Sequence, residues 1–235
     1  MLMTGHYRFA LRPDASAPAF ENHLTTSVIP EGLQLTRVTS GFRHRLLRVT
    51  DARDLSEPAS DRLSPQYVWE ATVTLVQGGY DFDQNIARLQ DRVAEYATLV
   101  GVDAHVNAAD LESDKTPDVL LIGHYRFALH RDCDAEAFRS HLVASVFTDS
   151  SLLHPTRITK GFSHRLLLPV DASGEAVGEP ADGLGAQYVW AVWADLVNDM
   201  GYDFQQNAGR IQARVTDFAT LVDVGAFTHV ADVVS

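Results

Sequence analysis

Along residues 5–12 the apolar Tyr7, Phe9 and Leu11 alternate with His6, Arg8 and Ala10. This period of two predicts a strand, and the same alternation returns over 123–130. Phe20 and Leu24 stand four apart behind Asp14, as Phe138 and Leu142 do behind Asp132, which predicts a helix with an aspartate cap. Segments 35–50 and 156–170, rich in leucine and β-branched residues, predict a second strand. Gly41 and Gly161 sit at matching places inside it, where a bulge or a close backbone approach is expected. Over 66–77 Tyr67, Trp69, Ala71, Val73 and Leu75 point one way, and Gln66, Glu70, Thr72 and Thr74 the other. Residues 187–198 repeat this third strand. Ile86, Leu89, Val93, Tyr96, Ala97 and Val100 recur at intervals of three and four, which predicts a long helix over about 82–100 with a counterpart over 204–222. Short strands at 102–109 and 224–233 close the pattern. The stretches 51–65 and 171–186, dominated by Pro, Gly, Ser and charge, read as exposed hairpin loops.

The pattern occurs twice because the sequence does. GHYRFAL (5–11) returns at 123–129, TRVTSGFRHRLL (36–47) as TRITKGFSHRLL (156–167), QYVW (66–69) at 187–190, and GYDFDQNIARLQDRV (79–93) as GYDFQQNAGRIQARV (201–215). Each copy, 1–111 and 119–235, reads β-α-β-β-α-β, and the polar ESDKTPDV (112–119) reads as the linker. Each antiparallel sheet has helices on one face only, so the uncovered faces are expected to be buried against each other about a pseudo-twofold axis. This order, with a His-bearing first strand, an Asp-capped first helix and a GFRHRLLRV second strand, resembles the dimeric α+β barrel (ferredoxin-like) superfamily in a tandem, single-chain form. The resemblance implies an α+β fold of two ferredoxin-like units. It also brings in the activities of that superfamily's branches: small polyketide cyclases, cofactor-free antibiotic-biosynthesis monooxygenases and haem binders.

Composition narrows the function. A net charge of −12 argues against nucleic acid as a partner, because phosphate-backbone binding needs clustered Lys and Arg. No run approaches 18 apolar residues and no targeting segment is visible, so a cytoplasmic protein without a membrane span is expected. Cys133 is the single cysteine and its counterpart is Ala15, which leaves no thiolate cluster and no shared catalytic thiol. Ten histidines raise the question of metal, yet HExxH and H-x-H spacings are missing, as are nucleotide-binding glycine motifs and G-x-S-x-G. No metal and no cofactor is expected.

The sharpest candidates for chemistry are His6 and Arg8 with His124 and Arg126, which share one face of the first strand in each copy. A half-buried imidazole suits a general base, and a neighbouring guanidinium suits an enolate, phenolate or carboxylate. For contact with a small-molecule substrate the candidates are His44 and His164, of which adjacent Arg45 and Arg165 face oppositely, the strand-end Gln66 and Gln187, and the aromatic Trp69 and Trp190. The GYDF-x-x-N segments read mainly as helix caps, with Asp81 and Asp203 at the N-cap and Asn85 and Asn207 in the first turn. Three functions follow: a cofactor-independent cyclase or monooxygenase acting on an aromatic or polyketide-like molecule, a non-enzymatic ligand-binding or assembly protein, or a His-ligated metal or haem protein. Glu70 against Ala191 and Thr72 against Trp193 show that the copies have diverged on one face, so a single active copy is compatible with the sequence. Whether the fused pair forms a homo-oligomer stays open.

Overall fold

The computed structural model describes residues 2–32, 39–51, 54–58, 66–76, 79–111, 120–148, 159–169, 188–197 and 201–233. The expected linker at 112–119, Gln187 and most of both hairpin loops lie outside these residues. The first copy runs β1 (Leu2–Leu11), α1 (Ala17–His23), α2 (Ile29–Gly32), β2 (Thr39–Asp51), β3 (Asp54–Pro58), β4 (Tyr67–Leu75), α3 (Ile86–Val93) and β5 (Ala97–Leu111). The second runs β6 (Leu120–Leu129), α4 (Ala135–His141), β7 (Thr159–Pro169), β8 (Tyr188–Leu196), α5 (Ala208–Val215) and β9 (Ala219–Val233).

Two separate sheets packed face to face would leave four edges, whereas here the edges are joined. The antiparallel order is β3-β2-β4-β1-β5-β7-β8-β6-β9, and β9 pairs back onto β2. All strands but β3 therefore form a closed ring, sewn by β5–β7 and β2–β9 seams between the copies. Closure removes the exposed edges that a lone βαββαβ sheet would carry.

These seams explain the largest departure from the hydrophobic pattern. The helix expected over 82–100 is only a 3-10 turn (Asp83–Asn85) followed by α3, and the strand expected over 102–109 begins at Ala97. β5 has to be long because it pairs with β1 through 97–106 and with β7 through 105–111. Gln90 secures its start from α3: Leu99 N donates to Gln90 Oε1 at 2.8 Å and Gln90 Nε2 donates to Ala97 O at 3.4 Å. Gln212 does the same for Leu221 and Ala219. Val100 continued the helical stripe in the sequence. In the structure it is the unpaired residue of a bulge opposite Arg8/Phe9 and is exposed, as is Val222 in the second copy.

Helix one also starts later than expected. Ser16 accepts from Ala19 N, and Asp134 accepts from Glu136 N and Ala137 N, so these residues cap the helices where Asp14 and Asp132 were expected to. Both helices continue through π-helical turns carrying the buried Leu24 and Leu142. The expected bulges at Gly41 and Gly161 are present, with the β2–β4 and β7–β8 registers shifting there. Gly41 has φ +153°, a value that disfavours a side chain.

Each copy has its own core between sheet and helices. Tyr7, Phe9, Phe20, Tyr67, Trp69 and Phe82 build the first, and Tyr125, Phe127, Phe138, Tyr188, Trp190 and Phe204 build the second. The GYDF-x-x-N motif belongs to this architecture. The Tyr7 hydroxyl donates to Phe82 O at 3.0 Å and Tyr125 to Phe204 O at 2.9 Å. Buried Asn85 and Asn207 donate to the hydroxyls of Tyr80 and Tyr202. Phe82 and Phe204 lie flat on Gly5 and Gly123, where a Cβ would penetrate the ring. No helix among the described residues is long and apolar enough to cross a membrane.

Candidate functional site

Strand alternation sends His6, Glu70 and Arg45 to the opposite side of the sheet from these cores, into the barrel. The registers align them in one row around the wall: Asp103 on β5 opposes His6 on β1, His6 opposes Glu70 on β4, Glu70 opposes Arg45 on β2, and Arg45 opposes Asp232 on β9. Charges of opposite tendency thus face each other across adjacent strands, the arrangement that stabilises a cross-strand pair. His6 Nε2 is 3.4 Å from Glu70 Oε2, Glu70 Oε1 is 3.7 Å from Arg45 Nη1, and Arg45 Nε is 3.3 Å from Asp232 Oδ1.

Glu70 is buried, which alone would raise its carboxyl pKa. The hydrogen bond from His6 and the charges of Arg45, His6 and Arg165 outweigh burial and hold it well below the usual carboxylate range. Glu70 is therefore ionised and weakly basic. His105 and His124 flank His6, with ring centroids at 5.0 and 5.6 Å. Burial pushes the His105 pKa down to about 3 and holds His124 well below 6.5, with the charge of His6 acting in the same direction on both. Neither nitrogen of His124 has a hydrogen-bond partner among the described residues.

One end of the row opens into a cavity of about 440 Å³. Glu70, Thr72 and Arg45 line it from the first copy's interior face, while Arg165 and Asp232 reach it from the second copy. Leu2, Phe42, Arg43 and His44 complete the wall. The size lies within the range of small-molecule sites.

The candidates from the sequence separate into three groups. His6 and His124 meet inside the barrel, each 1 % exposed. Arg8 and Arg126 lie on the same interior face two residues further on, ion-paired to Asp103 at 2.5 Å and to Asp223 at 3.5 Å. Burial and the nearby Arg8 charge lower the pKa of Arg126. His44 and His164 point away from that cluster into the helix-side cores and do not join His6 and His124, and the interior partner from each His-Arg pair is Arg45 or Arg165. Trp69 and Trp190 are fully buried in those cores. Gln66 accepts from Leu11 N at 3.0 Å, and Gln187 lies outside the described residues.

His44 and His164 share an instructive contact. The indole N–H of Trp69 donates to His44 Nδ1 at 3.3 Å, and that of Trp190 to His164 Nδ1 at 3.2 Å. Burial lowers both pKa values to about 4, so both rings are neutral near pH 7. A neutral ring whose Nδ1 accepts carries its proton on Nε2. A metal-ligating histidine needs the reverse, donating from one nitrogen while the other binds the metal. These two residues therefore do not fit as axial haem ligands. Among the described residues no group of three or more His, Cys, Asp or Glu is placed to hold a metal ion.

Sequence reasoning placed Glu70 only as a point of divergence from Ala191. A carboxylate on the polar side of an otherwise apolar strand, kept in one copy alone, was the available signal. Asp103 and His105, opposite Gly225 and Phe227 in the duplicated register, carried the same signal.

Solved structures share this architecture across nearly the whole chain. A haem-binding protein from Thermus thermophilus is similar at TM-score 0.53 and 10 % identity, over 98 % of this chain and 91 % of that one. A dye-decolorizing protein from V. cholerae matches at 0.52 and 8 %, over 97 % and 93 %. A protein from Lactobacillus acidophilus NCFM whose name proposes a monooxygenase matches at 0.51 and 11 %, over 99 % and 95 %. The chain shares with them a ferredoxin-like α+β barrel fold. No protein-family model matches the chain, and no curated protein matches it by sequence. Identities this low speak to the fold and leave the chemistry to the site.

Proposed function

We propose that the chain is a cofactor-independent enzyme that removes an acidic proton from an aromatic or polyketide-like small molecule held at the mouth of the barrel. The observation that carries this reading is the His6–Glu70–Arg45 row ending in the cavity, where the buried Glu70 carboxylate stands beside Arg45. Glu70 accepts the proton, with His6 behind it fixing Oε2. Arg45 and Arg165 stabilise the oxyanion that forms. A carboxylate of such low basicity can take only a proton that is already acidic, such as a C–H between two carbonyls or a phenol O–H. That restriction suits polyketide-like substrates. The bonding pair of the C–H moves onto the carbonyl oxygen. In a cyclisation the enolate carbon then attacks a second carbonyl, and the alkoxide recovers the proton from Glu70. A cofactor-free oxygenation would begin with the same carbanion, dioxygen being the oxidant. His124 and the Arg8–Asp103 and Arg126–Asp223 pairs support the interior around His6.

The test is deuterium incorporation at the central carbon of a set of aromatic 1,3-dicarbonyl compounds, followed by NMR in D2O against the buffer rate. The wild-type chain is expected to accelerate exchange for at least one compound. Glu70→Gln, with its fold verified by circular dichroism, should lose roughly 10²-fold or more of that acceleration. An unchanged rate in Glu70→Gln sinks the assignment. The low basicity of Glu70 favours one second reading, ligand binding without turnover, in which binding persists and no compound exchanges faster than in buffer.

A further inference from the structure

Resting on the cavity and the base assigned above, we propose that Thr72 determines how wide a substrate can be and still reach Glu70. Thr72 is the doorway to the carboxylate, and Trp193 is the same doorway closed in the second copy.

Along β4 the barrel-facing side chains are Val68, Glu70, Thr72 and Thr74, alternating with the residues of the helix-side core. Exposure rises in that order, from 2 % at Val68 through 5 % at Glu70 and 9 % at Thr72 to the exposed Thr74. A molecule entering along this wall therefore passes Thr72 before it meets the carboxylate. Thr72 lines the cavity, and its neighbours in register are Thr4 on β1 and Arg43 on β2. The hydroxyl oxygens of Thr4 and Thr72 are 3.4 Å apart, so the small side chain is tied to the wall.

The second copy has the same strand positions and the opposite outcome. Trp193 stands for Thr72, with Ile122 on β6 and Ser163 on β7 as its neighbours in register. Its indole packs against Leu47, Val68, Ile122 and Phe227, and the Arg165 guanidinium lies over the ring at 5.2 Å. Behind it, where the first copy has Glu70, stands Ala191. The open doorway and the carboxylate thus occur together on β4, and bulk occurs without a carboxylate on β8. Space filling alone does not account for this. On the helix side of the same stretch Ala71 and Val73 become Val192 and Ala194, a swap that conserves volume. On the barrel side Glu70 and Thr72 become Ala191 and Trp193, which adds bulk at the position nearer the mouth. Threonine in place of an indole frees the width of a fused bicyclic ring. A dicarbonyl bearing such a ring is the substrate class that suits the passage.

The experiment compares naphthoylacetone, which carries a fused bicyclic ring, with acetylacetone, which carries none. Deuterium exchange of both compounds and calorimetric binding of naphthoylacetone are measured on the full chain as wild type, Thr72→Val, Thr72→Leu and Thr72→Trp, each checked by circular dichroism. Thr72→Trp should lower both the naphthoylacetone-to-acetylacetone rate ratio and the naphthoylacetone affinity by about tenfold or more. Thr72→Leu should fall between it and wild type, and decides the matter alone if the indole prevents folding. Thr72→Val keeps the width and removes the hydroxyl, so its rate ratio should match that of wild type. The inference is overturned by a ratio and an affinity that ignore the bulkier side chains, by an equal loss of both compounds, by a Thr72→Val that behaves as Thr72→Trp does, or by no naphthoylacetone binding to wild type at millimolar concentration. Binding that follows the width of residue 72 without exchange of either compound would remove the proton-transfer reading and keep the doorway. Exchange that ignores ring size would do the opposite.

Discussion

The two copies agree closely on the helix side of the sheet and only in part on the barrel side. Toward the helices, Tyr7, Phe9, Trp69 and Phe82 find identical counterparts in Tyr125, Phe127, Trp190 and Phe204, with the same hydrogen bonds. Toward the barrel axis, Glu70, Thr72, Asp103 and His105 face Ala191, Trp193, Gly225 and Phe227 at the corresponding positions. Each copy needs its own helix-side core, so any drift there is penalised twice, once per copy. The interior is a single shared space, in which one polar wall and one apolar wall suffice. Repetition in this chain therefore marks mainly the scaffold, and Glu70, the centre of the candidate site, sits where repetition fails.

The largest expected effect is acid sensitivity. His44, His164, His105 and His124 are neutral in the folded chain, with pKa values lowered chiefly by burial, the first two to about 4. Unfolded histidine takes up its proton near pH 6.5, so below that point the unfolded state binds more protons. Stability is then full above about pH 6.5 and falls as pH drops toward 4, by roughly 1.4 kcal/mol per pH unit for each such histidine. Glu70 and Asp103, whose pKa values are lowered, extend the loss below the normal carboxylate range. His105→Phe installs the residue of the second copy, and urea titrations between pH 7 and 4.5 should show a slope flatter by about one proton. An unchanged slope would break the link between the polar wall and acid lability.

The paired central histidines should respond unequally. His6→Leu leaves the Glu70 carboxylate with Arg45 but without its imidazole, and a loss of about 3 kcal/mol is expected. His124→Leu removes two buried, unpartnered nitrogens beside Phe227, so its Tm should match or exceed wild type. Equal losses in the two variants would mean that the interior is not polarised as described.

Smallest, and symmetric, is the effect at the glycines under the phenylalanine rings. Gly5→Ala and Gly123→Ala each force Phe82 or Phe204 to move, at roughly 1–3 kcal/mol by chemical denaturation. Similar losses at both sites would verify that the helix-side cores are equivalent. A silent Gly123→Ala would show that the second copy packs more loosely.

Much of this was legible in the chain. Period-two alternation located β1, β4, β6 and β8 within a few residues, and the internal repeat fixed the element order. What misled was the run from Ile86 to Val100. Its three-and-four spacing continued past the true helix end at Val93, because Ala97 and Tyr96 face the same core from a strand and a turn as they would from a helix. Local periodicity reports burial and does not name the element that achieves it. His44 illustrates the same limit within the site, since a bulge at Gly41 and the adjacent arginine left its direction undecided until β2 was paired.

The sequence by itself determined the doubled βαββαβ order, the two aromatic cores and the face of β1 that carries His6 and Arg8, because these follow from periodicities of a few residues. Only the tertiary structure decided that the sheets close through β5–β7 and β2–β9, and that His6, Glu70, Arg45 and Asp232 stand in one row. That row spans four strands distant in sequence, and its alignment depends on registers set by bulges and by seams between copies. No pattern along the chain encodes such a register.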